Sequence, residues 1–337
     1  MNTSVAVTGA VPVVKTAKDG VVQRRIAKAW QALGPLVIFV VMFAIVAILT
    51  PTFLGGGGVT IVASSAAPIL LVALGQALVL NIGSIDLSNA AITVLGAILL
   101  AMTLGPLGQI APIVVIAMVT LFGAVNGLIV AAAQVPSFAL TLGTLGIFQA
   151  AALVVSGATT VYVEANGDAI AALYTTLIGG LPMTFILGVI VAVLAWVFLR
   201  FTRPGQGMTA IGKNESGAIF SAVRTRGLKV VAYALSGFMA GLAGITIIAQ
   251  AGSASPMGLG SDLLLPGIAA AIVGGTSISG GVTNPINVIF GALTVALVPI
   301  ATTALGFDPS TQNLVYGVVI IVVVALTITR SRNATVK

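Results

Sequence analysis

Apolar residues in this 337-residue chain come in long runs, divided by short breaks of Gly, Pro, Asn and Ser. The runs neither alternate in polarity like a half-buried strand nor confine their apolar residues to one helix face. A helix needs about 20 such residues to cross a hydrocarbon core of about 30 Å. The pattern predicts ten membrane segments, near residues 32–50, 59–80, 90–104, 110–133, 138–156, 179–199, 230–250, 263–274, 285–306 and 312–329. Pro35 suits an opening turn, and Pro51 with Gly55 to Gly58 ends the first segment. Gly105-Pro106 and Gln134-Val135-Pro136-Ser137 mark two further turns. The eighth segment is short and holds Pro266 and Gly267, the pattern of a broken or re-entrant helix. Such a helix is tolerated only inside protein or beside a wet cavity.

Composition and charge sharpen this reading. The chain is 58% hydrophobic and 6% charged, whereas about a quarter of the residues in a soluble domain are charged. Barrel strands would alternate in polarity, so the fold class expected is an all-α polytopic membrane protein. The basic residues form three islands: Lys15 to Lys28, Arg200 to Lys229 and Arg330 to Lys337. Basic loops stay on the cytoplasmic side, so each gap must hold an even number of spans, here six and then four. The expected organisation is a cytoplasmic tail over 1–31, a permease domain over 32–329 with a cytoplasmic loop at 200–229, and a cytoplasmic tail over 330–337. The net charge of +7 then reflects membrane orientation and not nucleic-acid binding. An uncleaved first span is expected, because Met1 to Val14 lacks the basic flank of a secretory signal.

The chain has neither cysteine nor histidine. Thiolate metal sites, disulfides and the usual proton shuttle are therefore excluded. It also lacks the Gly-x-x-x-x-Gly-Lys-[Ser/Thr] phosphate loop, and no nucleophile–base pair suggests an enzyme.

Several residues are candidates for function. Gly123-x-x-x-Gly127 and Gly237-x-x-x-Gly241 with Gly244 place small residues on one helix face. They suit tight packing around a pathway or at a dimer seam, or ordinary helix packing. Asp86 is the only charged residue between Lys28 and Glu164, and it reads both as a cap for the third segment and as a pathway residue. Asp262 reads as a cap for the eighth segment. Gln76, Asn81, Asn126, Thr141 and Gln250 are neutral polar groups within or beside segments, suited to a polyol path or to helix–helix hydrogen bonds. Phe138, which opens the fifth segment, joins these path candidates. Between Arg200 and Lys229, a short helix is expected from Glu215 to about Arg224. Asn214 is its N-cap, Glu215 and Arg224 suit its dipole, and Gly227 is its stop. Ile219, Phe220 and Val223 give it an apolar patch, suited to a membrane surface or to a groove on a partner.

Four stretches carry a family resemblance. Ala210-Ile211-Gly212-Lys213-Asn214-Glu215, with Ala222-Val223, resembles the cytoplasmic loop of ribose-type permeases of ATP-binding-cassette (ABC) importers. Gly83-Ser84-Ile85-Asp86-Leu87-Ser88 resembles their Gly-Gly-Ile-Asp-Leu-Ser segment, and Pro136 to Thr144 resembles their Pro-x-Phe-x-x-Thr-Leu-Gly-Thr turn. Ile268 to Ser277, with Gly280-Gly281, resembles their Ala-Ala-x-x-x-Gly-Gly-Thr-Ser…Gly-Gly stretch. The chain departs from many relatives at Leu264-Leu265-Pro266 (Glu-Leu-Asp) and at Gln149-Ala150 (Arg-Gly).

The resemblance implies the type II architecture shared with vitamin B12 importers. It implies an inner-membrane permease that imports a small neutral sugar by ATPase-driven alternating access. Lys213, Asn214, Glu215, Ile219, Phe220, Val223 and Arg224 would form the coupling element for a cytoplasmic ATPase. That subunit would hold ATP and magnesium, so this chain would bind no cofactor itself. An extracytoplasmic sugar-binding protein and a second permease, identical or homologous, are the other implied partners, within membrane lipid. The residues alone also leave open an ion-coupled secondary transporter of a small polar solute.

Overall fold

The computed structural model describes residues 17–54, 57–257 and 262–327, so the C-terminal tail expected over 330–337 lies outside the described residues. Its helices are α1 (Ala17–Leu49), α2 (Gly58–Asn81), α3 (Asn89–Leu107), α4 (Ala111–Ala133), α5 (Ser137–Ser156), α6 (Asp168–Thr175) and α7 (Met183–Phe201). They continue with α8 (Arg203–Lys213), α9 (Glu215–Phe220), α10 (Thr225–Ala251), α11 (Leu264–Val273), α12 (Pro285–Ala304) and α13 (Gln312–Thr327). Each of the ten apolar runs coincides with one helix. Among the described residues, seven helical stretches are long and apolar enough to cross a membrane, and one of these, Asn89–Ala133, is the α3–α4 pair. Helices α11 and α13 are apolar but shorter.

Helix α2 occupies the centre. It is buried over most of its length against α10, α12, α11 and α7. Helix α10 packs on α4 more extensively than on any other helix. The glycine pairs explain that closeness: Gly123 lies against the Tyr233 carbonyl and Gly237, and Gly237 lies against the Val119 carbonyl. Gly127 and Gly241 meet Tyr233 and Val119 in turn. Without side chains there, the two backbones approach as they do in lipid-embedded helix pairs generally. The small faces are therefore spent within the chain and do not form a dimer seam.

Two local expectations are corrected. The α3–α4 turn falls at Gly108 (φ 54°), where its N–H bonds to the Leu104 carbonyl, so Gly105-Pro106 stays in the last turn of α3. Asp262 does not cap α11, whose N-cap position is Leu263 without a side-chain bond. Helix α11 is a single short helix, buried against α12, α2 and α13, with Pro266 accommodated in its opening turn.

At the end of the bundle opposite the basic loop, α6 lies in the segment between α5 and α7. Residues Val161–Tyr162 pair antiparallel with Ser253–Ala254, and Leu177–Ile178 pair with Leu181–Pro182. Asn166 donates to the carbonyls of Leu104 and Gly105.

Candidate functional site: a polar knot joined to an exposed helical hairpin

The segment between α2 and α3 passes through the bundle as irregular backbone and must find hydrogen-bond partners there. The residues around it supply them. Asp86 Oδ1 accepts from the Ser88 N–H (3.0 Å) and hydroxyl (2.6 Å), and Oδ2 accepts from the Ser236 hydroxyl (2.8 Å). The Gln76 amide donates to the Asp86 carbonyl. The Ile85 carbonyl accepts from Tyr233 Oη (3.1 Å) and Thr141 Oγ1 (3.2 Å), while the Ile85 N–H donates to Ser137 Oγ. Asn126 Nδ2 donates to Ser88 Oγ (2.9 Å) and Thr144 Oγ1 (3.2 Å), and Asn89 Nδ2 donates to Ser236. One seven-residue crossing thus ties α2, α3, α4, α5 and α10 together.

Five of the path candidates belong to this knot or to its edge. Gln76, Asn81, Asp86, Asn126 and Thr141 are all buried, and each bonds to another part of the chain. Asp86 organises the turn before α3, whose N-cap position is Ser88 without a side-chain cap bond. The amide oxygens of Gln76, Asn81 and Asn89 are buried without a donor from the described residues. The other two candidates lie elsewhere. Phe138 is 53% exposed on α5, and Gln250 is half-buried near the end of α10. Ser236 and Tyr233 were missed by the sequence reading. Their one signal is that both sit on α10 within a Ser/Gly-containing, otherwise apolar stretch.

The basic loop is built as a helical hairpin. Thr202 ends α7, and its hydroxyl accepts from the Gly205 N–H (3.1 Å), starting α8 with Pro204 in the first turn. Thr-x-Pro before a polar run is the signal that would have revealed α8. Asn214 ends α8 and caps α9, with Oδ1 accepting from the Gly217 N–H (3.0 Å). Helix α9 stops at Phe220 and does not reach Arg224. The reversal uses Ala222 (φ 58°), with Val223 N–H bonded to the Ala218 carbonyl and Ala222 N–H to the Ile219 carbonyl. This is a Schellman closure with alanine where glycine is usual. Gly227 lies inside the first turn of α10.

The coupling candidates divide accordingly. Phe220 is 91% exposed and Ile219 55% exposed at the tip, while Val223 is half-buried. Lys213, Asn214 and Arg224 are exposed. Glu215 pairs with Lys229 at 2.7 Å, the only ion pair among the described residues.

Hairpin and knot meet at a glycine joint. The Gly281 N–H donates to the Asn81 carbonyl (2.9 Å), and Asn81 Nδ2 donates to Thr209 of α8 (3.0 Å). Gly212 sits so close that any Cβ there would collide with the Asn81 carbonyl and the Gly281 nitrogen. Gly280 approaches both Gly83 and the Gly212 carbonyl. Thus the four sequence stretches singled out by resemblance, far apart in the chain, form one contiguous structure. A displacement of α8 would be felt directly at the end of α2 and at the 275–283 turn.

An apolar bundle of this kind, with an exposed hairpin locked to its core, defines a helical multi-pass membrane protein. The family model described as the permease component of branched-chain amino acid transport systems matches residues 58–324. The chain is 32% identical to the ribose import permease protein of Bacillus subtilis over 321 residues, covering 91% of this chain and 94% of that protein. It is 30% identical to the ribose import permease protein of Haemophilus influenzae over 294 residues, 86% of this chain and 90% of the relative. It is 31% identical to the D-allose transport system permease protein of Escherichia coli over 305 residues, 88% and 91% of the two chains. No solved structure matches. The chain belongs to this ABC-importer permease family and is a multi-pass inner-membrane protein.

Proposed function

We propose that this chain is the membrane-spanning subunit of an ABC importer for a small neutral sugar, with ten membrane segments in a type II arrangement and both termini cytoplasmic. The observation that carries the mechanism is the hairpin locked to the knot. It offers an exposed apolar tip at Ile219 and Phe220, and its base bonds directly to the end of α2. A cytoplasmic ATPase subunit, holding ATP and magnesium, would grip that tip. Its closure would tilt α8 and, through the glycine joint, shift α2, the 275–283 turn and the knot together. This is alternating access driven from outside the membrane.

The sugar reading rests on the relatives named for ribose and allose, since the family description itself names branched-chain amino acids. A neutral polyol also suits the chemistry, because it needs hydrogen-bond partners and no fixed countercharge. The path is best placed along α5, which packs chiefly on α3 and α4 and leaves Phe138, Gly143, Gly146 and Gln149 exposed. A second permease, identical or homologous, would cover that face. An extracytoplasmic binding protein would deliver the sugar to the opposite mouth.

The test is uptake of radiolabelled ribose and allose by proteoliposomes holding the permease, its ATPase and its binding protein. Uptake should require ATP and all three components, and should persist after an ionophore collapses ion gradients. Uptake that needs the gradient and ignores the ATPase would establish the ion-coupled alternative instead.

A further inference from the structure

We propose that the cavity between α7, α8 and the start of α12 holds the headgroup of an anionic phospholipid, clamped by Arg200 and Lys213. The cavity measures about 520 Å³, within the range of small-molecule sites. Its walls include Trp196 and Arg200 from α7, Gln206 and Lys213 from α8, and Asn284-Pro285 at the start of α12. Both cationic side chains lack any hydrogen-bond or ion-pair partner among the described residues, since the one ion pair belongs to Glu215 and Lys229. No acidic side chain lines the cavity. Two unpaired positive charges facing one recess favour an anionic occupant.

The position of the cavity identifies the source of that anion. Ile190, Val193 and Val197 are exposed apolar residues on one face of α7, and Arg200 continues the same stripe at helical spacing. A lipid chain lying along the stripe brings its phosphate to Arg200. Trp196, in edge contact with Phe201 at 5.5 Å, marks the level where aromatic rings sit between hydrocarbon and water. Basic pockets between membrane helices near the cytoplasmic surface recognise anionic headgroups by this combination of charge and depth. The Gln206 amide donates to the Arg200 carbonyl (3.0 Å), so the two walls of the recess are already tied together. Thr209 and Ala210 also line the cavity, and Thr209 bonds to Asn81 of the joint. A bound headgroup would therefore brace α8 at the base of the hairpin and tune how its movement reaches α2. This inference rests on the hairpin being cytoplasmic, which the labelling experiment in the Discussion tests separately.

The experiment is native mass spectrometry of the full chain released from nanodiscs of mixed phosphatidylglycerol and phosphatidylcholine. The wild type should retain phosphatidylglycerol in preference to the supplied ratio. Arg200→Gln and Lys213→Gln should each reduce that preference about fivefold, the factor expected per basic residue near an anionic surface. Arg226→Gln, outside the cavity, should not. Retention at the supplied ratio by the wild type overturns the proposal without reference to any variant, so variants that fail to fold leave it decidable. Undiminished preference in the Arg200→Gln/Lys213→Gln double variant also overturns it. Displacement of the lipid by millimolar inorganic phosphate would show a soluble-anion site and reject the lipid assignment.

Discussion

The main-chain N–H of Gly281 reaches the carbonyl of Asn81 at 2.9 Å, joining two segments separated by most of the chain. The bond is possible because Gly212 passes beside it without a side chain and because Gly281 adopts φ 73°, a conformation that L-residues resist. The joint should therefore be intolerant of a single methyl group. Gly212→Ala is expected to force the strands of the joint apart at a cost of about 1–3 kcal/mol. ATP-driven uptake should fall more than the thermal midpoint of the purified protein does. Gly227→Ala, with open space around it, is the control and should leave both unchanged. Wild-type uptake in Gly212→Ala would remove the joint from the coupling route.

Asp86 and Ser236 make the next prediction. The carboxylate is fully buried and held by hydroxyl and N–H donors with no cationic partner among the described residues. Hydrogen bonds to charged groups contribute about 1.5–3 kcal/mol each. Asp86→Ala should therefore lower thermal stability strongly and free the entry to α3. Ser236→Ala should cost less, and the two changes together should cost less than their sum, because they remove one shared bond. Strict additivity in denaturation midpoints would show that the bond contributes nothing. If Asp86 also serves transport, Asp86→Asn should keep the fold and still reduce uptake.

The sequence revealed the ten apolar segments because in lipid a helix must be apolar on nearly every side, and that leaves a plain signal. It revealed the Asn214 cap for the same local reason: one side chain satisfies one nearby N–H. What it hid was set by distant contacts. The α9 stop falls at Ala222 and not at Gly227, because the chain must turn back into α10 with Val223 packed beside Gly207. That packing overrides the roughly 1–2 kcal/mol preference against alanine in a left-handed conformation. The convergence of Asn81, Gly212 and Gly281 was equally invisible, since nothing local distinguishes a glycine at a joint from one in a turn. Likewise, the polar path candidates were found by type, yet whether Gln76 or Asn126 faces a path or a neighbouring helix depends on α10 and α5.

The tip of the hairpin is predicted to dock a partner and to contribute little to the fold. Phe220 is almost wholly exposed, and Ile219 is more than half exposed. Replacing either with Asp removes little buried surface, so the melting temperature should change little. Co-purification with the ATPase subunit should nevertheless be lost, because a charge would enter an apolar groove on the partner. The Glu215–Lys229 pair is partly exposed, so Lys229→Gln should cost well under about 1 kcal/mol. ATPase recovered in full with Phe220→Asp would show that docking uses another surface.

Orientation can be decided by labelling, because the natural chain contains no cysteine and any introduced thiol reports alone. Glu164→Cys and Asp308→Cys occupy exposed positions at the end opposite the hairpin, whereas Phe220→Cys occupies the tip. In the proposed orientation, the hairpin and both termini are cytoplasmic. A membrane-impermeant maleimide added to intact spheroplasts should therefore modify the first two thiols and spare the third. After the membrane is permeabilised, Phe220→Cys should label as fast as the others, since its site is 91% exposed. A phosphatase reporter fused after Lys337 should be inactive, and a fluorescent one should be bright. Labelling of Phe220→Cys in intact cells would invert the bundle and put the hairpin out of reach of any cytoplasmic ATPase. If only the reporter at Lys337 proved external, the second half would hold an odd number of crossings. Helix α11, ten residues long and buried among its neighbours, would then be the segment that enters the membrane without crossing it.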